Sequence, residues 1–372
     1  MVTFASVCRQ QRGTIAGNGR CANLTRMRQL LKKAALRLLS MPGVTAPLYP
    51  LMRGQAAVFM LHRFHEPDRG IEGDSPVELG KALEVLRRRR YELVSLDDVF
   101  ARLRGEGPPL SRAVAFTIDD GYAEQADVGA PVFAAYDCPV TTFVTSGFLD
   151  GELWFWWDRI AYVFASTKRS RLRVKISTDT LELQWANARG RDAAQADFIT
   201  QCKRVTDTEK HLAIAALAAA AEVDVPARPP ASAAPMTWET LRRCEAHGMT
   251  FGPHTVTHPV LARTSDDVSR FELEESWRRL EAEAKKPVKI FCYPNGGDAD
   301  FGLREVTKLK EMRFTGAVVG AWGLANAAGL QQDGGNGAFR MRRFPFPNHV
   351  PGVVQCASGL ERLKLMLRGA GR

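Results

Sequence analysis

Short apolar, β-branched runs alternate along this chain with amphipathic stretches of helical length, and this alternation constrains the fold most. The runs lie at residues 56–61, 113–118, 140–144, 288–293 and 315–319. The helical stretches lie at 77–90, 124–136, 237–247 and 266–285. Strands that alternate with helices indicate parallel βα units. The sequence therefore predicts an α/β protein, either a barrel or a doubly wound sheet, over residues 55–350.

Residues 150–235 interrupt this alternation. They open with the aromatic cluster 154–157, continue through two alternating runs at 172–176 and 180–185, and end in an Ala-rich helix and a Pro/Ala linker. We interpret them as an insertion between two strands of the larger unit. The aromatic cluster is either a sugar-stacking platform or part of the core, and we expect at least two of its tryptophans in the core because their buried area is large.

Positive charge is concentrated in a leader, residues 1–54, which holds nine Lys or Arg and no acid, against a net charge of +10 for the whole chain. The rest of the chain is nearly neutral, which argues against a nucleic-acid partner. Residues 27–39 place apolar side chains at helical spacing with basic ones off that stripe. This basic N-terminal helix either lies on an anionic membrane surface or docks on the globule. Residues 351–372 are expected to form a C-terminal helical tail.

Seven scattered cysteines without a CxxC pair predict buried thiols in a reducing compartment. The first 26 residues lack the apolar region of a secretory signal. We therefore expect a cytoplasmic protein, with peripheral contact at the inner membrane surface through residues 27–39 as an alternative.

Two adjacent carboxylates, Asp119 and Asp120, follow the run at 113–118 directly. The C-terminal ends of parallel strands are where α/β active sites are built. Adjacent aspartates repel one another when dry, so the pair suits a metal ion that takes one and leaves the other as a base. The alternative is an acidic helix N-terminus, which we expect for the pairs at 97–98 and 266–267.

Two of the seven histidines, His254 and His258, lie four residues apart and are flanked by prolines. The prolines disfavour a long helix through the pair. Neutral imidazoles at this spacing can bind one divalent ion, to which Asp120 would add an oxygen ligand. The sequence thus predicts a divalent metal site.

The segments around these residues resemble two motifs of the polysaccharide deacetylases that carry the NodB homology domain. Thr117-Ile-Asp-Asp-Gly121 resembles the TFDDG motif, and His254-Thr-Val-Thr-His258-Pro259 resembles the HSxxHP motif. The similarity covers most of residues 56–345, and the insertion matches least. The resemblance implies a distorted (β/α) barrel of seven or eight units. It also implies a metal-dependent hydrolase that removes N-acetyl groups from an amino-sugar polymer or oligosaccharide.

The resemblance further implies a role for each motif residue. Asp119 corresponds to the family's catalytic base, and Asp120, His254 and His258 correspond to its metal ligands, with Zn²⁺ as the usual ion. The base removes a proton from a metal-activated water, which then attacks the acetamide carbonyl.

The third family motif, roughly arginine-x-proline-tyrosine, is altered in this chain. By our alignment Cys292 stands at the arginine position and Asn295 at the tyrosine position. The family arginine orients the catalytic Asp, so Asp119 requires a substitute. The candidates are Arg340, Arg342 and Arg343. Substrate contacts are expected from Tyr293, Pro294 and Asn295, and the N–H of Asn295 can complete an oxyanion hole whatever its side chain.

The family's general acid, a histidine near the end of the domain, has no clean counterpart. His62 ends the first predicted strand, similar to a subgroup in which this motif is permuted to the front. We predict His62 as the acid, because strand ends place side chains in the site, and His349 as the alternative.

Two other functions stay open. One is a catalytically impaired carbohydrate-binding relative, which the altered third motif suggests and the retained Asp119 argues against. The other is a membrane-docked module in polysaccharide assembly.

Overall fold

The computed structural model describes residues 38, 41 and 43–369, so the predicted helix at 27–39 lies outside the described residues except for Leu38. The strands are β1 (Gln55–Leu61), β2 (Glu92–Leu93), β3 (Ala113–Asp120), β4 (Val140–Val144), β5 (Arg171–Ile176), β6 (Asp179–Gln184), β7 (Met249–Pro253), β8 (Ile290–Cys292), β9 (Gly316–Val318), β10 (Ala325–Asn326) and β11 (Phe344–Pro345). The longer helices are Pro76–Arg88, Leu96–Leu103, Trp156–Ser166, Ala188–Cys202, Asp207–Ala220, Trp238–Ala246, Asp266–Glu283, Leu303–Glu311, Ala327–Gly335, Val350–Ala357 and Leu360–Gly369. None of the described helices has the length and apolar character needed to cross a membrane.

Parallel strands form the centre of the fold. β11, β1, β3, β4 and β7 pair side by side in that order, and β8 pairs with β9. Single bridges, Phe251 to Pro287 and Val318 to Met341, join the β8–β9 pair to β7 on one side and to the segment before β11 on the other. The ring of seven parallel strands is therefore complete, and the predicted distorted barrel is confirmed.

Side chains along each strand alternate between the barrel interior and the surrounding helices. In β3, Ala113 and Ala115 pack inside with Val58, while Phe116 and Ile118 pack outside. All eight residues of β3 are buried, as expected for a parallel strand covered on both faces.

The stretch between β4 and β7 has a hydrophobic cluster of its own. The predicted runs at 172–176 and 180–185 pair as the antiparallel hairpin β5–β6. The helices Trp156–Ser166, Ala188–Cys202 and Asp207–Ala220 pack on this hairpin around a common core.

Two features differ from the sequence prediction. β7 has no counterpart among the predicted runs, because Gly252 and Pro253 break the apolar pattern in a strand of only five residues. In the predicted helix at 124–136, residues Gln125–Gly129 form a π-helix, and an α-helix follows at Ala130–Ala134. Pro131 lacks the N–H that a regular helix would use there.

The acidic pairs at 97–98 and 266–267 do lie at helix N-termini, as predicted. Ser95 and Ser265 cap these two helices by accepting a hydrogen bond from a backbone N–H in the first turn.

Candidate active site

The four motif residues meet at the C-terminal end of the barrel. Asp119 and Asp120 end β3, and His254 follows β7 directly. His258 lies four residues further along the same loop. Parallel strands place these ends at one mouth. The residues are almost fully buried, with exposed fractions of 3% for Asp119, 5% for Asp120, 2% for His254 and 5% for His258.

Asp120 and the two histidines have the geometry of a metal site. The Oδ1 atom of Asp120 lies 3.6 Å from the Nε2 atoms of both His254 and His258. Ligands of a tetrahedral ion with bonds of about 2.0–2.1 Å are about 3.3–3.4 Å apart. The three ligand atoms therefore need to move little to bind one divalent ion.

The hydrogen bond of His254 supports the same conclusion. Its Nδ1 lies 2.7 Å from the backbone carbonyl of Cys292, which can only accept, so Nδ1 carries a proton and Nε2 is the atom that faces Asp120. Although burial opposes it, the neighbouring Cys292 and the hydrogen bond to Asp120 hold the pKa of His254 well above its ordinary value, and a metal ion bound at Nε2 would take the place of that proton. Burial and the neighbouring His254 hold the pKa of His258 well below its ordinary value, so this ring is neutral. One carboxylate and two imidazoles, with His254 losing its Nε2 proton when the ion binds, fit Zn²⁺.

A buried carboxylate that the sequence did not reveal holds the loop between the two histidines. Glu272, on the helix Asp266–Glu283, accepts hydrogen bonds from the backbone N–H groups of Val256, at 2.7 Å, and Thr257, at 2.9 Å. It also accepts one from the Thr257 hydroxyl. An acid on an amphipathic helix is normally a surface residue, and only its burial here reveals this role.

Asp119 is paired with Arg343, one of the three arginines considered above. The guanidinium donates from Nη1 to Oδ1 at 2.7 Å and from Nη2 to Oδ2 at 2.8 Å. Arg343 also donates to the Cys292 sulfur at 3.2 Å, so it reaches the space next to the position where the family carries its arginine. Although burial alone would raise the pKa of Asp119, Arg343 lowers it to about 2. Asp119 is therefore ionised at neutral pH.

His62 follows β1 and lies at the edge of the same mouth. Its Nε2 is 3.8 Å from Oδ2 of Asp119, and its side chain is 35% exposed. The backbones of the two residues are tied by Gln125, whose Nε2 donates to the carbonyls of His62, at 2.6 Å, and Asp119, at 2.5 Å. Gln125 is fully buried, and nothing in the sequence distinguished it from an ordinary polar residue.

The alternative acid, His349, has a different place in the structure. It is exposed and caps the helix Val350–Ala357, where its Nδ1 accepts from the N–H of Gly352 at 3.0 Å. The contacts of His349 are thus with its own helix and not with Asp119.

The altered third motif contributes differently from what we expected. Tyr293 is 1% exposed and stacks on Phe301 with ring centroids 3.7 Å apart, so its side chain does not line the mouth. The reason is the alternation along β8, which turns Cys292 toward Asp119 and Tyr293 outward. Pro294 is buried, and Asn295 is half-buried with a φ of 62°.

The tryptophans of the cluster 154–157 divide as predicted. Trp154 and Trp156 are buried, with exposed fractions of 8% and 3%. Trp157 is half-buried and contacts His258, with ring centroids 4.6 Å apart.

Comparisons with known proteins agree with this geometry. The polysaccharide deacetylase family model matches residues 198–316, which include both histidines and begin after the aspartate pair. Among solved structures, the Streptococcus pyogenes deacetylase PplD in complex with acetate is similar at 17% identity and a TM-score of 0.52, covering 83% of this chain and 97% of that one. IcaB from Ammonifex degensii is similar at 15% identity and a TM-score of 0.51, covering 82% and 97%. The comparison with curated proteins gives no match.

The match over residues 198–316 and the shared fold agree with the resemblance to polysaccharide deacetylases that the two motifs predicted.

Proposed function

We propose that this protein is a hydrolase that removes N-acetyl groups from an amino-sugar polymer or oligosaccharide. The observation that carries the proposal is an ionised Asp119 beside the donor set of Asp120, His254 and His258. A divalent ion bound there, most simply Zn²⁺, would acidify a water molecule and polarise the acetamide carbonyl. The similar fold of PplD, a deacetylase in complex with acetate, supports acetate as the product.

In this proposal Asp119 is the catalytic base. Its carboxylate accepts a proton from the attacking water, and Arg343 holds both carboxylate oxygens in a fixed orientation. Arg343, the residue before β11, thereby supplies the support that the family motif supplies from the position of Cys292. This arrangement argues against the carbohydrate-binding alternative, because a site that only bound metal and sugar would not need an ionised, oriented Asp119.

The direct test is acetate release from N-acetylglucosamine oligomers of increasing length, with and without a chelator. Acetate release that stops with chelator and returns with added Zn²⁺ supports the proposal. Binding of the oligomers without acetate release at any metal concentration would contradict it and favour the carbohydrate-binding alternative.

We further propose His62 as the general acid that protonates the leaving amine. It is the histidine beside Asp119 that is open to the mouth, so it can exchange protons with solvent. His62→Ala should lower turnover about 10²–10⁴-fold, the usual range for a positioned acid, while bound metal is retained.

The matched control for His62 is His349→Ala, which removes a helix cap and should cost about 1 kcal/mol of stability with little effect on turnover. A large loss of turnover in the His349 variant and none in the His62 variant would reverse the assignment.

Peripheral membrane contact is also a proposal, with an anionic bilayer as the partner. Besides the basic leader, exposed apolar residues gather near both ends of the described chain: Leu38, Met41, Val44, Leu365, Met366 and Leu367 are each at least 39% exposed. The helix that carries the last three packs on the short segment Ala46–Met52, where Arg362 donates to the carbonyl of Leu51. Apolar groups flanked by basic ones are what an anionic membrane surface binds.

The expected result is binding to anionic vesicles that weakens with salt. Each basic residue near the surface contributes about 1 kcal/mol, so Lys32→Gln combined with Lys33→Gln should weaken binding roughly 30-fold at low salt. Replacing Leu365, Met366 and Leu367 by Ser should weaken it further. The control replaces the exposed Val268 and Phe271 by Ser in the helix Asp266–Glu283. Equal cosedimentation of all variants would contradict the proposal.

A further inference from the structure

Trp157 is placed differently from the other two tryptophans of its cluster. It lies in the first turn of the helix Trp156–Ser166 and presents its indole to the imidazole of His258, with centroids 4.6 Å apart and planes at 69°. Phe155 stacks on the indole at 4.3 Å and 13°. The imidazole therefore lies against an aromatic wall that belongs to the stretch between β4 and β7.

Hydrogen bonds fix this wall relative to the aspartate pair. The indole Nε1 of Trp157 donates to the hydroxyl of Tyr122 at 3.0 Å, and that hydroxyl donates to Oδ2 of Asp158 at 2.7 Å. Tyr122 is fully buried and follows Asp120 by two residues. The position of the indole is thus set by the same strand end that supplies the carboxylate ligand.

The two histidines are held in different ways. His254 is oriented by the hydrogen bond from its Nδ1 to Cys292, which is how ligating histidines are usually held. The Nδ1 of His258 is buried and has no hydrogen-bond partner among the described residues. Packing therefore fixes the angle of the His258 ring, and Trp157, with centroids 4.6 Å apart, is nearer to it than His254 at 4.8 Å and Phe155 at 5.6 Å.

We propose that Trp157 is a positioning residue for the metal site, holding His258 in the orientation in which its Nε2 faces Asp120. The inference rests on the proposed function, because it assumes that these residues bind a metal ion. Under it, the stretch between β4 and β7 is part of the metal site, although none of the three ligands comes from it.

The test is metal affinity, measured on the full chain by competition with a chromogenic chelator for Zn²⁺. Trp157→Ala should weaken affinity about 10–100-fold, the usual cost of losing a group that orients a ligand. Excess Zn²⁺ should restore a large part of the lost acetate release, which a general loss of folding would not allow. Trp157→Phe keeps an aromatic wall without the N–H and should lose less than Trp157→Ala.

Two further variants separate positioning from general packing. Tyr122→Phe and Trp157→Phe both remove the Trp157–Tyr122 hydrogen bond, and Tyr122→Phe also removes the bond to Asp158, so the loss of affinity in the double variant should be smaller than the sum of the two single losses. Trp154→Ala removes a buried tryptophan that packs on Tyr162 and should lower thermal stability while leaving metal affinity unchanged.

Unchanged Zn²⁺ affinity in a folded Trp157→Ala protein would overturn the inference and leave the proposed function intact. Absence of Zn²⁺ binding by the unaltered protein would instead overturn the proposed metal site itself.

Discussion

An Asp119→Asn variant should retain its bound metal and lose most of its turnover, whereas His258→Ala should lose both. The amide cannot take up a proton from the attacking water, but Asp119 is not one of the three proposed ligands, which are Asp120, His254 and His258. His258 supplies one of the three ligand atoms, so its loss removes the ion. We expect at least a 10²-fold loss of turnover for Asp119→Asn, at the lower end of the range for acid–base catalysis.

The measurements are metal content per chain and acetate release, with thermal unfolding as the control for folding. The control matters because the amide leaves the buried Arg343 without its counter-ion. An equal fall in metal content in both variants would show that the division of roles between Asp119 and Asp120 is wrong.

Arg343→Leu should produce the largest loss of stability of any single substitution at this site. Both partners of the ion pair are buried, with exposed fractions of 1% and 3%. Removing one partner of such a pair typically costs about 3–5 kcal/mol, because the other is left buried and uncompensated.

The pH dependence of this loss follows from the pKa of Asp119. In the native protein that pKa, about 2, lies below its ordinary value of 3.8, so the carboxylate stabilises the fold above pH 4 and this contribution disappears as the pH falls toward 2. Without Arg343, burial dominates and raises the pKa above its ordinary value. The variant should therefore be least stable relative to the native protein at neutral pH, and the difference should shrink as the pH falls and Asp119 protonates.

A second substitution tests whether Arg343 replaces the family arginine. Cys292→Arg in the Arg343→Ala background returns a guanidinium to the motif position, 3.5 Å from the Asp119 carboxylate as measured from the Cys292 sulfur. In the Arg343→Ala variant the acid limb of the pH–rate profile should lie at higher pH, because Asp119 is protonated more easily without Arg343. Adding Cys292→Arg should recover turnover and return this limb toward low pH. A double variant that folds and binds Zn²⁺ but recovers no turnover would show that Arg343 has a different role.

Much of the barrel, and the meeting of Asp120 with His254 and His258 at its mouth, could be predicted because local patterns encode them. β3 is a continuous apolar run that ends in two acids. The C-terminal ends of parallel strands lie at the same end of a barrel, so these acids must lie at that end. The spacing of His254 and His258 similarly allows both rings to face Asp120.

The supporting groups could not be predicted because each acts across a long stretch of sequence. Arg343 pairs with Asp119, which lies 224 residues earlier in the chain. The sequence does not distinguish Arg343 from Arg340 and Arg342, and only the pairing of β11 with β1 determines which of the three faces Asp119. Gln125 and Glu272 look like ordinary surface residues, and only tertiary packing buries them. Tyr293 was misjudged because the short β8 strand sets which of two adjacent side chains turns inward.

Several residues at the mouth of the barrel have backbone conformations that lower the free energy of unfolding. Asp120, Thr255, His258 and Asn295 have φ values of 90°, 66°, 59° and 62°. A residue with a Cβ atom held in this region costs about 1 kcal/mol or more, a cost that glycine avoids. Two of the four are proposed metal ligands, whose side chains glycine cannot supply. The site therefore lowers the stability of the protein at the positions where particular side chains are needed. The packed barrel beneath the mouth offsets this cost.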